Sequence, residues 1–423
     1  MIIRELIRTI SFKRLKPVHW AFILAAFIIA HIPAIMNDHG DTDDYVTLAH
    51  SLVKGKLYLS TDDIPYLKGT KIIDTGDLIH YQGKYYLPYP PAPALLFIPF
   101  VLAGSNTVNS VLIAVILSCL NIFLLYSLFI KLRIQDTRIP WLIYAFFFGT
   151  SYWFVLLSSH HVYGFAEVVS VTSILLLLNE LFGKKRSLLM GLFLGIAFLS
   201  RQFTAFFSIF VLGYLVYQYL IFPPQQDRKL FWKKAALFTG SFGCSILIYF
   251  LYNYARFGNP FDTGYSHIVF FTVLKDRIDQ YGVFSSHYVV YNLYNYLIKG
   301  FNIEFTGKGL LHIKDMDLFG TSLLAASPFL VASLKTGWNR YLRTLAWITI
   351  GIIFTGLLFY HNNGKDQVNA SRFTLDFLPL MLILTGLGSK NIPSWLFKGM
   401  ICYAIVLNII AIGIHFLYHT YPG

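Results

Sequence analysis

The sequence predicts an all-α polytopic membrane protein with about eleven transmembrane helices and a large first extracytoplasmic loop. Three observations carry this. Hydrophobic residues fill 56% of the 423 positions and charged residues 13%, against roughly 25% charged in a soluble domain. No soluble core hides that much apolar surface. Apolar runs near the ~20 residues needed to cross hydrocarbon recur along the chain. Lys and Arg fall in short segments between alternate runs, as the positive-inside rule expects.

The first run, 18–36, follows Arg4, Arg8, Lys13, Arg14 and Lys16. It is long for a signal-peptide core and lacks a small-x-small cleavage site, so it reads as an uncleaved helix with a cytoplasmic N-terminus. Further runs lie at 107–130, 139–158, 163–182, 187–200, 203–222, 235–254, 318–334, 344–360, 374–388 and 395–416. The apolar stretch 92–104 is too short to cross and follows Pro88, Pro90, Pro91 and Pro93, which makes it interfacial or re-entrant. With eleven crossings, 20 of the 34 Lys and Arg but only four of the 21 acidic residues face the cytoplasm. The protein is then a multi-pass inner-membrane protein with its C-terminus extracytoplasmic. Residues 1–423 read as a single membrane domain, with large extracytoplasmic loops at 37–106 and 255–317 and a shorter polar one at 361–373.

The net charge of +13 does not indicate nucleic acid. The basic residues sit in loops between spans, and no basic patch interleaves with exposed aromatics. Cys119, Cys244 and Cys402 lie inside apolar runs at no metal-like spacing, as small buried residues do.

Four places offer chemistry. The first loop opens Asn37-Asp38-His39-Gly40-Asp41-Thr42-Asp43-Asp44-Tyr45, ahead of a stretch with helical apolar spacing. Its carboxylates suit a general base or a divalent-cation site, or cap the helix that follows. The second place is Ser158-Ser159-His160-His161-Val162-Tyr163 through Glu167. An acid within a span is costly unless paired or wetted, so Glu167 is either functional or the partner of an arginine. Adjacent histidines on one helix point apart, so His160 and His161 suit substrate contact better than a shared metal. Third, Arg201 and Arg372 stand at membrane level and either snorkel or grip a lipid phosphate bidentately. Fourth, Arg256, just past the 235–254 run, is a further phosphate candidate. No phosphate-cradling Gly-rich loop, dinucleotide fingerprint, His-Glu-x-x-His or Gly-x-Ser-x-Gly is present, so the chain would draw on a substrate already activated.

Three stretches resemble the polytopic glycosyltransferases of the C type (GT-C), which include protein O-mannosyltransferases and lipid A aminoarabinose transferases. They are Gly40-Asp-Thr-Asp-Asp-Tyr45 with the following Leu-Ala-His-Ser-Leu, Tyr81-Gln-Gly-Lys-Tyr-Tyr-Leu-Pro-Tyr-Pro-Pro-Ala-Pro93, and Asn253-Tyr-Ala-Arg-Phe-Gly-Asn-Pro-Phe-Asp-Thr-Gly-Tyr265. The likeness spans about residues 15–265. It implies a polyprenyl-phosphate-sugar donor, a glycan, lipid or protein acceptor on the outer face, and an inverting transfer. It also implies an Asp general base. By position that is Asp41, with Asp44 the close alternative and Glu167 the assisting acid. The family's common Asp-Glu pair is replaced here by Asp-Thr-Asp-Asp, which leaves Asp41, Asp43 and Asp44 all open. These three are also the ligands for a divalent cation, Mg or Mn, if one is used. Tyr45, His160, His161, Arg201, Arg256 and Arg372 are the substrate and lipid-phosphate candidates. Two other readings stand beside this one: a transporter or flippase of lipid-linked saccharides, and a non-catalytic subunit of an envelope-assembly complex.

Overall fold

The computed structural model describes residues 17–36, 45–60, 62, 78–222, 227–268, 273–364 and 367–418. The fold is mostly helical, at 69%. In chain order the first helices are α1 (Pro17–Met36), α2 (Tyr45–Val53), α3 (Ala92–Leu95), α4 (Ile98–Leu102), α5 (Ser110–Lys131), α6 (Ile139–Phe148), α7 (Tyr152–Leu157), α8 (Val162–Leu181) and α9 (Ser187–Phe198). Then come a 3-10 turn at Gln202–Phe206 that runs into α10 (Phe207–Val216) and a π-helical turn to Ile221, α11 (Arg228–Phe257), α12 (Val273–Tyr281) and α13 (Val289–Leu293). The chain closes with α14 (Leu323–Ala326), a 3-10 stretch at Pro328–Lys335, α15 (Arg340–Leu358), α16 (Leu378–Gly388) and α17 (Ser394–Tyr418). Three two-stranded sheets join β1 (Ile79–Tyr81) to β2 (Lys84–Tyr86), β3 (Ile303–Thr306) to β4 (His312–Met316), and β5 (Phe319–Thr321) to β6 (Gln367–Ala370).

Among the described residues, six helical segments are long and apolar enough to cross a bilayer: α5, α8, Gln202–Ile221, α11, α15 and α17. The chain is a multi-pass membrane protein. Helix α1, which has no Asp, Glu, Lys or Arg, coincides with the predicted 18–36 run.

The chain forms two compact units, one from Met1–Leu124, Leu156–Ser208 and Gln218–Gln280, the other from Leu125–Val155, Ile209–Tyr217 and Tyr281–Gly423. In the first unit α9 has 12 residues, about 18 Å long, and packs along α11. Gly191 and Gly195, one turn apart, make that approach: a Cβ on either would sit 1.9 or 2.0 Å from the Oγ of Ser241 or Ser245. Small residues at four-residue spacing on both helices let the backbones meet, a recurrent membrane interface.

The second unit departs from the hydropathy reading in two places. The predicted span 139–158 is broken between α6 and α7. The carbonyls of Gly149 and Thr150 leave the helical ladder and accept instead from Ser327 Oγ (2.5 Å) and Asn369 Nδ2 (3.1 Å). Asn369 Nδ2 also reaches Asn408 Oδ1 at 2.6 Å, so a buried amide network braces the break. The predicted span 318–334 is not one helix. Parallel pairing of β5 with β6 takes its first residues, and Ser322 Oγ accepts from Ala325 N (3.3 Å) to start α14. Pro328 then opens the 3-10 stretch, because a proline lacks the N–H that α14 would need to continue.

Candidate functional site

In the first unit a proline-rich turn acts as a hub. Proline fixes φ and donates nothing, so the turn through Pro88, Pro90 and Pro91 leaves the carbonyls of Leu87 and Pro90 to donors from elsewhere. Other parts of the unit satisfy them. Arg256 Nη1 donates to Leu87 O (2.8 Å), and the Tyr45 hydroxyl donates to Pro90 O (3.2 Å). Ala92 N donates in turn to Leu199 O at 3.0 Å, which anchors the break after α9. The described part of the first resembling stretch, from Tyr45 on, thus meets the second, and the third meets the second as well. Phe257 packs edge-on against Tyr81 and Tyr86 at 5.5 and 5.4 Å.

Beside this hub lies the buried pair Glu167–Arg201. Helix α8 is buried along nearly its whole length and carries Glu167 inside. Arg201 sits in the extended break between α9 and the 3-10 turn, at φ −144° and ψ 112°. Its Nε lies 3.1 Å from Glu167 Oε1, with side-chain exposures of 11% and 1%. An unpaired carboxylate at that depth would cost several kcal/mol, and the guanidinium offsets that cost. Of the two sequence readings of Glu167, pairing with an arginine is therefore realised.

Tyr45 is buried at the start of α2, 6.2 Å from the Phe165 ring. Burial pushes its phenol well above the ordinary value. Tyr252 and Tyr265 add to the shift, Arg201 opposes it, and Glu167 adds again. Tyr45 therefore stays a protonated donor within electrostatic range of the Glu167–Arg201 pair.

Arg256 is held within the protein. Besides Leu87 O, its Nη2 donates to Asn253 Oδ1 (2.8 Å), and the guanidinium lies 4.0 Å from the Tyr252 ring centroid and 4.6 Å from that of Phe257. Nη1 thus ties the proline turn to α11, while Nη2 fixes the guanidinium against that helix's own Asn253. Asn253 was not singled out in the sequence. Its signal was an amide on an apolar helix, three residues before an arginine.

His160 and His161 do not share a helix. They lie in the turn between α7 and α8, where the ring centroids come to 4.0 Å, and His161 also stacks on Tyr163 at 5.2 Å. The expectation that they point apart fails because the helical geometry behind it is absent. Among the described residues no group of three His, Cys, Asp or Glu could hold a metal. Asp41, Asp43 and Asp44 lie outside the described residues. Arg372 belongs to the second unit, buried at the start of a 3-10 turn (Arg372–Asp376) and 5.2 Å from the Phe373 ring. The structure thus brings together Tyr45, Glu167 and Arg201, with Arg256 bound to the same hub.

No protein-family model, curated protein or solved structure matches the chain.

Proposed function

We propose that the chain is a GT-C-type membrane glycosyltransferase that moves a sugar from a polyprenyl-phosphate donor to a glycan, lipid or protein acceptor outside the cytoplasmic membrane. The observation that carries this reading is the buried Glu167–Arg201 pair beside Tyr45, because Tyr45 is joined by one peptide bond to Asp44 of the acidic cluster. Tyr45, the first described residue after the acidic cluster, thus stands with an oriented guanidinium in the first unit.

In this mechanism an acceptor hydroxyl attacks the anomeric carbon from the face opposite the phosphate. The carbon–oxygen bond to the phosphate breaks with its electron pair, and polyprenyl phosphate leaves. The hydroxyl proton passes to Asp41, with Asp43 and Asp44 as the alternative bases. Arg201 stabilises charge growing on the departing phosphate, and Glu167 holds Arg201 in orientation. If a divalent cation takes part, the three aspartates are its ligands. The basic N-terminal tail faces the cytoplasm. The eleven crossings read from hydropathy would leave the C-terminus outside.

The test is product stereochemistry. Purified protein in nanodiscs receives a panel of polyprenyl-phosphate sugars, and the anomeric configuration of the product is read by NMR. Inversion is expected. Retention overturns the single displacement. Binding of donors without any transfer moves the assignment to a transporter.

A further inference from the structure

Residues 286–298 are amphipathic the wrong way round for water. They form a 3-10 turn (Ser286–Tyr288), α13 and a π-helical turn (Tyr294–Ile298) in the second unit. The side turned into the protein carries two amides, Asn292 and Asn295, 0% and 4% exposed, beside the buried rings of Tyr288 and Tyr296. Past the exposed Ser286 and His287, the side turned out is apolar: Val290, Tyr294, Leu297 and Ile298 are 80%, 50%, 41% and 72% exposed. Those four fall at i, i+4, i+7 and i+8, one continuous helical stripe.

The polar face has a structural task. Asn292 Nδ2 shares its hydrogens among Leu358 O (2.9 Å), Tyr360 O (2.8 Å) and Leu357 O (3.2 Å). Leu357 and Leu358 end α15 and Tyr360 lies two residues past it; Leu357 O also accepts from Tyr360 N at 3.3 Å. Tyr296 packs edge-on against Phe354 of α15, one turn further in, at 5.6 Å. The segment therefore lies along the last turns of a helix long enough to cross a bilayer. Helix α15 exposes Ile348 and Ile352, and Phe359 just past its end is exposed too, so the apolar stripe continues the apolar surface of a helix fit to cross a bilayer. Where the segment ends, Lys299 Nζ meets Asp317 at 2.6 Å, which marks the return to a polar level.

We propose that residues 286–298 form an intramembrane shelf, with Val290, Tyr294, Leu297 and Ile298 seated among lipid acyl chains at the Leu358 end of α15. Thirteen helical residues extend about 20 Å, too short for roughly 30 Å of hydrocarbon, so the segment enters one leaflet and does not cross. The reading of 255–317 as a wholly extracytoplasmic loop is replaced at this point. The inference is independent of the catalytic assignment.

The test uses the full chain in nanodiscs, with Cys119, Cys244 and Cys402 replaced by serine and single cysteines introduced as Val290→Cys or Ile298→Cys. A nitroxide on each reports collisions with oxygen, which concentrates in acyl chains, and with a nickel chelate, which stays in water. Asp279→Cys, at an exposed site of α12, is the aqueous reference. Oxygen collisions should exceed nickel collisions several-fold at 290 and 298, and the order should reverse at 279. Nickel-dominated collisions at 290 and 298 overturn the shelf. So do low rates with both, which would mean that protein, a second copy or another partner, covers the stripe. Should cysteine replacement impair folding, the unaltered chain is photolabelled with a lipid carrying a diazirine on its acyl chain. Adducts are expected on residues 290–298. Their absence where α15 is labelled contradicts the proposal.

Discussion

Arg201 Nε approaches Glu167 Oε1 at 3.1 Å across a nearly sealed contact, one charge from inside the predicted 163–182 span and the other from the gap between 187–200 and 203–222. Removing one partner strands the other. Arg201→Leu should lower stability by about 3–5 kcal/mol, whereas Glu167→Leu with Arg201→Leu together should cost clearly less than the two single changes summed. A double-mutant cycle on thermal unfolding in detergent measures this. Additive losses would mean that the pair is not coupled.

Gly264 holds the third resembling stretch against the β1–β2 hairpin. Its φ is +82°, and an added Cβ would fall 2.3 Å from Ile79 Cδ1 and 2.8 Å from Phe257 Cζ. Gly264→Ala should destabilise by about 1–3 kcal/mol through backbone strain and lost packing. Asp262, which accepts from Gly264 N at 2.8 Å, should tolerate Asp262→Asn far better, since the amide oxygen still accepts. Unfolding midpoints of the two variants check this.

Asn292 closes the end of α15, so Asn292→Leu takes the amide donor away from Leu358 O and Tyr360 O. The expected cost is about 1–3 kcal/mol, seen as a lower unfolding midpoint and faster hydrogen exchange in 354–360. Unchanged exchange there would show that the carbonyls find other partners.

Asp317 gives the second unit an acid-sensitive contact. Burial alone pushes its carboxyl up. Hydrogen bonds from Lys299 and Phe319 N, the charge of Lys299 and a hydrogen bond from Asn302 outweigh burial and hold it below the ordinary value of 3.8. A carboxyl with a lowered folded-state value stabilises the protein fully above its unfolded value and loses that contribution as pH falls through the folded one. The stability of the wild type should therefore drop more steeply below pH 3.8 than that of Asp317→Asn, with a constant offset between them near neutrality. Parallel curves throughout would remove Asp317 from this role.

Hydropathy located most helices because lipid exposure is written in composition, as in α17, where exposed Val406, Ile409 and Ile410 sit on a lipid-compatible face. It failed at 318–334 because the apolar run there has a helix's composition but a non-local instruction: β5 pairs with β6 far along the chain. The candidate site was half legible. A carboxylate and a guanidinium in apolar runs announce themselves, and Glu167 and Arg201 did so. What no local pattern showed was that Arg256 serves Leu87 O and Asn253, since backbone carbonyls carry no sequence label. Asn369 and Asn408, which meet at 2.6 Å, were hidden for the same reason: each reads alone as an isolated amide.

The most direct test of the glycosyltransferase assignment is release of polyprenyl phosphate from polyprenyl-phosphate-linked sugars by the purified chain in nanodiscs. Wild type is compared with Asp41→Asn and Asp44→Asn at matched unfolding midpoints. Release by wild type is expected, with a fall of about 10²–10⁴-fold in the variant that lacks the general base. Release at the wild-type rate by both variants, or no release by the wild type with any donor, would contradict the assignment.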